Sequence, residues 1–222
     1  MAPTGIVAID DALGGGLPRG HLSEIVGGRS TGRASALCAA FAAATARGDL
    51  VALVDTLDTF DPESGAAAGI DLSRLLWIRG RAGGGGDGMQ RTVDRALKAL
   101  GLLLQADAFG VVALDLANVP DRLLRRIPFT TWFRLPRVIE GRPTACVLVA
   151  DRPIARSAGG MTVVLEAGRS AVRWVGGANQ SVLLRGFDLS VRAIGARQPY
   201  GGRRRGLFVT AAEAAGLPVS SS

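Results

Sequence analysis

The chain reads as an α/β protein with a mostly parallel central sheet, flanked by helices and carrying antiparallel strands at its C-terminal side. Three observations predict this. Short apolar runs recur with helix-length segments between them. Up to Asp151 those runs are apolar throughout instead of alternating, the pattern of strands buried on both faces. Beyond Asp151 the runs become short, alternating and turn-punctuated, the pattern of antiparallel pairing.

Taken in order, "HLSEIV" (21–26) is the first strand, and "ASALCAAFAAATARG" (34–48) is an alanine-rich helix ended by Gly48. "LVALVD" (50–55) is the second strand, "DPESGAAAGID" a short helix and turn, and "LLWIRG" (75–80) the third strand. "RAGGGGDG" (81–88) is a flexible loop by composition. "MQRTVDRALKALGLLLQA" (89–106) places apolar residues at helical spacing, and "GVVALD" (110–115) is the next strand. "RLLRRI" (122–127) is a helical piece between Pro120 and Pro128, and "ACVLVAD" (145–151) is another strand. "MTVVLEAG", "AVRWVG", "SVLLRGFDLSVRAIGA" and "GLFVT" read as antiparallel strands. No linker, repeat or composition break interrupts residues 1–209, so one domain is expected, with 210–222 a short helix or frayed tail.

Composition narrows the function. At 222 residues, 48% hydrophobic and 20% charged, the chain can bury a real core. It has no apolar run of the ~18 residues that a membrane span needs. "MAPTGIVAIDD" lacks the basic start and apolar core of a signal peptide, so a soluble, cytoplasmic, nucleoid-associated protein is expected. Cys38 and Cys146 lie far apart inside apolar runs and read as buried hydrophobes. His21 is the only histidine, which excludes a His-based metal site or triad. Net charge is +7 and Lys98 is the only lysine. A guanidinium pairs bidentately with phosphate, so a nucleic acid or an acidic protein surface suits this balance; an arginine-favouring genome explains it equally.

"EIVGGRSTGRAS" (24–35) carries the main motif. A phosphate loop is Gly-x-x-x-x-Gly-Lys-Ser/Thr between a strand and a helix. Gly27 and Gly32 keep the spacing, and Gly28, Ser30 and Thr31 fill the loop. Arg33 stands where the lysine belongs and Ala34 where the magnesium-binding hydroxyl belongs, with Ser35 one residue late. Either the backbone N–H groups still cradle a phosphate, or the glycines serve a strand-turn-helix geometry only. Asp115, closing "GVVALD", reads either as a magnesium-shell carboxylate or as a cap on the next turn. Asp55, Asp58 and Asp61 at the end of the second strand suit polarising an attacking water or turn and cap chemistry, which Pro62 and the helix expected after Asp61 favour.

The arginines form the last feature. Arg122, Arg125 and Arg126 share one helical piece with Trp132 and Phe133 behind them; Arg134, Arg137, Arg142, Arg152 and Arg156 come after, then Arg203, Arg204 and Arg205. Arginine with nearby aromatics suits single-stranded nucleic acid, where charge meets phosphate and bases stack. A solvated face with core aromatics is the alternative.

The succession resembles the RecA core over about residues 4 to 209. "TGIVAIDDALGGGLPRGHLSEIVGG" (4–28), "LVALVDTLDTFDPESGAAAGIDLSRLLWIRG", "FGVVALD" and "SAGGMTVVLEAG" carry the likeness. That resemblance implies a RecA-like P-loop fold. It also makes Leu57 the counterpart of the recombinase's catalytic Glu and Asp151 that of its nucleotide-sensing Gln. With Arg33 and Ala34, metal ligand, water activator and sensor are then altered together, which implies no catalytic residues, no metal and no working ATP–magnesium cofactor. The core begins without the recombinase's leading helix and strand, and the DNA-loop segments are shorter, so no full filament is expected.

"GGGLPRGHLSEI" and "LLRGFDLSVRAIGARQPYGGRRRGLFV" resemble the ImuA family of RecA-like accessory proteins in damage-inducible (SOS) mutagenesis. The resemblance implies translesion synthesis beside an inactive Y-family polymerase homologue and an error-prone replicative-type polymerase, with contact to RecA or single-stranded DNA. An active RecA-paralogue ATPase of recombination and a SulA-type cell-division inhibitor are the competing expectations.

Overall fold

The computed structural model describes residues 1–81, 86–155, 160–175, 183–195 and 204–209. In chain order these form α1 (Val7–Leu13), β1 (Leu22–Gly27), α2 (Arg33–Ala46), β2 (Val51–Asp55), α3 (Pro62–Ala67), β3 (Leu75–Arg79), α4 (Gly86–Ala106) and β4 (Val111–Asp115). Then come α5 (Asp121–Leu124), α6 (Phe129–Ile139), β5 (Ala145–Ala150), β6 (Met161–Val175), β7 (Leu183–Gly195) and β8 (Arg204–Val209). The strands make one eight-stranded sheet in the order β3-β2-β4-β5-β1-β6-β7-β8. The six strands from β3 to β6 run parallel, and β7 and β8 close that side antiparallel.

Alternate residues of the parallel strands feed two cores. Val51, Leu53, Val111, Ala113, Val147 and Val149 face one cluster with α1 and α2. Ala52, Val54, Val112, Leu114, Cys146 and Leu148 face the other, with α4, α5 and α6. Both faces are covered, which is why these strands read as unbroken apolar runs. Phe41 of α2 is fully buried, and truncating such a side chain costs roughly 3–5 kcal/mol. β3 departs from the pattern: it is an edge strand, half-exposed, with Leu76 open to solvent.

Three expectations need correction. Gly86, Asp87 and Gly88, expected in the glycine-rich loop, begin α4, while 82–85 lie outside the described residues. "MTVVLEAG" and "AVRWVG" are one strand, β6, with an irregularity between Ala167 and Val172; it pairs antiparallel with β7 but parallel with β1. The residues between the two segments shift the register without reversing the chain. The helical piece at 122–127 is shorter, ending at Leu124.

Two helices were not expected. In α1, Asp10 reaches back to accept from Thr4 N (2.7 Å), Thr4 Oγ1 (2.8 Å) and Gly5 N (3.1 Å), so the anchor of the first turn lies inside the helix rather than before it. In α6, Pro136 sits inside the helix, where proline normally signals a stop. Burial of Trp132, Leu135 and Ile139 on one face holds it helical. The tail 210–222 lies outside the described residues. No helix among them is long and apolar enough to cross a membrane.

Candidate functional site

Parallel sheets bind ligands at the carboxyl ends of their strands, and here those ends line up along one rim. Asp55 of β2 stands opposite Asp115 of β4, Asp115 opposite Val149 of β5, and Ala150 opposite Val26 of β1. From β1 the chain passes through 28–32 into α2. Ser30 (φ 57) and Gly32 (φ 82) both take left-handed backbone. Thr31 is buried and its hydroxyl donates to Gly28 O at 2.8 Å, closing the turn on itself. A Cβ on Gly27 would lie 2.4 Å from Thr31 Oγ1 and 2.5 Å from Leu165 O, so only glycine fits there. Gly28, Ser30, Ala34 and Ser35 are exposed.

Arg33 is not. Its side chain is 8% exposed, and its guanidinium is ion-paired to Asp151, just past β5. Asp151, about half-exposed, also accepts from Asn118 N at 3.3 Å, which ties the segment after β4 to the same carboxylate. Asp115 lies within the same electrostatic neighbourhood. Burial, opposed in part by the Ala117 N–H (2.8 Å), then added to by the Asp55 charge, pushes its carboxyl up to about 6. The hydrogen bond to Ala117 N is the turn cap that the sequence offered as one of two readings.

The three aspartates after β2 are all engaged in holding structure. Asp55 is buried and accepts from Thr59 N (3.0 Å), Phe60 N (2.8 Å) and Trp77 Nε1 (3.2 Å). Asp58 takes both arms of Arg79, at 2.7 and 2.8 Å, which holds its carboxyl below the usual range. Asp61 caps α3 through Glu63 N and Ser64 N, and the Ser64 bonds lower its carboxyl likewise. No group of three or more His, Cys, Asp or Glu among the described residues could hold a metal.

The arginines separate into two sets. Arg125 (2.8 Å) and Arg152 both pair with Asp121, and Arg142 donates to Leu104 O and Gln105 O at 3.2 Å, fastening the end of α4. Arg122, Arg126, Arg134 and Arg137 are exposed and make no ion pair among the described residues. Trp132 is core, 3% exposed, whereas Phe133 is exposed and meets exposed Phe129 edge-on at 4.6 Å. Arg156 and Arg203 lie outside the described residues; Arg204 and Arg205 lie on β8, and only their backbone is described.

Sequence reasoning missed Glu24. It sits fully buried in β1 and accepts from Ile154 N (2.8 Å), Ala155 N (3.0 Å) and Thr162 Oγ1 (3.2 Å), clamping the chain between β5 and β6 beside the loop. A lone carboxylate inside an otherwise buried strand was the available signal.

Sheet order, loop and rim define a phosphate-loop α/β core. The model of the RecA N-terminal domain matches residues 1–118, more than half of the chain, and the chain belongs to that family. It is 35% identical over 116 residues to Protein RecA of Mycobacterium ulcerans (strain Agy99), covering 52% of this chain and 31% of that protein. Protein RecA of Frankia alni (strain DSM 45986 / CECT 9034 / ACN14a) is 33% identical over 114 residues, covering 51% and 30%. Protein RecA of Chlorobaculum tepidum (strain ATCC 49652 / DSM 12025 / NBRC 103806 / TLS) is 34% identical over 113 residues, covering 50% and 30%. The match thus spans about a third of these relatives' length.

A magnesium nucleotide does not fit the residues present. Position 34 has no hydroxyl for the metal, and the cation at 33 is taken up by Asp151.

Proposed function

We propose that this chain is a RecA-fold accessory protein of the DNA damage response, of the ImuA kind, supporting translesion synthesis by binding and not by hydrolysis. The observation that carries the reading is the Arg33–Asp151 ion pair. The loop cation and the residue at the sensor position satisfy each other, so neither is free for a γ-phosphate.

Single-stranded DNA is the proposed nucleic-acid ligand. Arg122, Arg126, Arg134 and Arg137 would meet phosphates while Phe129 and Phe133 offer stacking faces. Arg125 and Arg152 contribute less, because both are held by Asp121. The proposed protein partners are the inactive Y-family polymerase homologue, the error-prone replicative-type polymerase and RecA. An exposed Phe pair flanked by arginines supports a binding surface better than it supports a buried catalytic one.

The test measures phosphate release from ATP with magnesium beside fluorescence anisotropy with labelled oligo-dT. Expected are no turnover above background and micromolar DNA binding that weakens steeply with salt. Magnesium-dependent turnover that disappears in Asp115→Asn overturns the reading in favour of an active ATPase.

A further inference from the structure

The far end of the rim holds a feature that the phosphate loop does not explain. Between the carboxyl ends of β2 and β3 and the first half of α4 lies a cavity of about 200 Å³. Two strands, β4 and β5, separate it from β1 and its loop.

Three arginines, Arg79, Arg81 and Arg95, line it against a single carboxylate, Asp55. That carboxylate is fully occupied by Thr59 N, Phe60 N and Trp77 Nε1. Arg79 is fixed by its two bonds to Asp58 and by stacking 4.5 Å above the Trp77 ring. Arg81 and Arg95 are exposed and pair with no carboxylate among the described residues.

Thr56 is 0% exposed, and its hydroxyl, which has no hydrogen-bond partner among the described residues, does not reach the cavity surface. The Thr92 hydroxyl donates to Arg81 O at 2.7 Å and fixes that residue's backbone against α4. Gly80 N donates to Asp55 O at 2.7 Å, and a Cβ on Gly80 would fall 2.0 Å from Thr56 O. The close approach of the two strand exits therefore depends on glycine. Val54, Ile78, Ala96 and Ala99 supply an apolar side.

We infer that this cavity is a second anion site, taking a small phosphate ester of the nucleoside monophosphate class. Arg81 and Arg95 hold the phosphate, and the apolar side covers the organic part. Guanidinium groups match phosphate geometry. The inference is independent of the accessory reading, since no residue of the phosphate loop takes part.

The test titrates the full chain with dAMP and, separately, with inorganic phosphate, by calorimetry and by following the three tryptophan indole N–H resonances. Saturable dAMP binding that shifts the Trp77 signal is expected, because Arg79 stacks on that ring. Arg81→Glu combined with Arg95→Glu should weaken dAMP at least about tenfold. Both side chains are exposed, so the fold tolerates the change, and the milder Arg81→Gln with Arg95→Gln should lose less. Inorganic phosphate should bind more weakly than dAMP. No dAMP binding at millimolar concentration, or binding unchanged by the double Glu variant, overturns the site. Equal affinity for the two ligands overturns its assignment to a nucleotide.

Discussion

The Arg33 guanidinium and the Asp151 carboxylate close on each other across the ends of β1 and β5. Arginine stands at the loop's lysine position, and its charge is answered by a carboxylate just past β5. Together they form one neutral pair, and each explains the other.

Breaking that pair strands a charge. Asp151→Ala should lower stability by roughly 1–3 kcal/mol, less than for a fully buried pair because Asp151 is half-exposed. A double-mutant cycle with Arg33→Ala, read from urea midpoints, should return a coupling of about 1 kcal/mol or more. Additive effects would show the two side chains to be independent.

Asp115 gives a pH signature. Its folded carboxyl is raised to about 6, above its unfolded value of 3.8. Its relative stabilisation is therefore full below the unfolded value and lost as pH rises through about 6. Asp115→Asn, which keeps an acceptor for Ala117 N, should stabilise the protein at pH 8 by about 1–3 kcal/mol and by about half as much at pH 5. Equal gains at both values would remove Asp115 as the source.

Rebuilding the loop should not restore hydrolysis. Arg33→Lys with Ala34→Thr exchanges one cation for another and adds a hydroxyl for a metal, yet Asp151 still competes for the lysine. Phosphate release should stay at background. Recovery with this pair alone would mean that another group activates the water.

The exposed rings should matter for DNA and not for folding. Phe129→Ala with Phe133→Ala should weaken oligo-dT binding by roughly tenfold or more, at ~1–3 kcal/mol per stacked base. Melting temperature should move little, since both side chains face solvent. Unchanged affinity would take α6 out of the interface.

Much of this was legible beforehand. The parallel half of the sheet announced itself because both faces are covered, leaving no polar side to interrupt Val51–Asp55 or Ala145–Ala150. The loop spacing from Gly27 to Ser35 placed the rim. The features that stayed hidden depend on contacts between distant residues. Whether Arg33 meets a phosphate or a carboxylate is decided by Asp151, far along the chain. Pro136 spoke against a helix that packing of Trp132 and Ile139 nonetheless holds. The arginines looked alike in sequence, and only the place of Asp121 shows that Arg125 and Arg152 are already paired.

Gly80 has a consequence for how this rim can change. With the chain leaving β3 pressed against the Thr56 carbonyl, the two outermost strand exits have no lateral play. Any side chain at that position must prise them apart, carrying Arg79 off the indole and turning Arg81 from α4. Descendants of this sequence can widen the gap before Arg81 only by dismantling the corner.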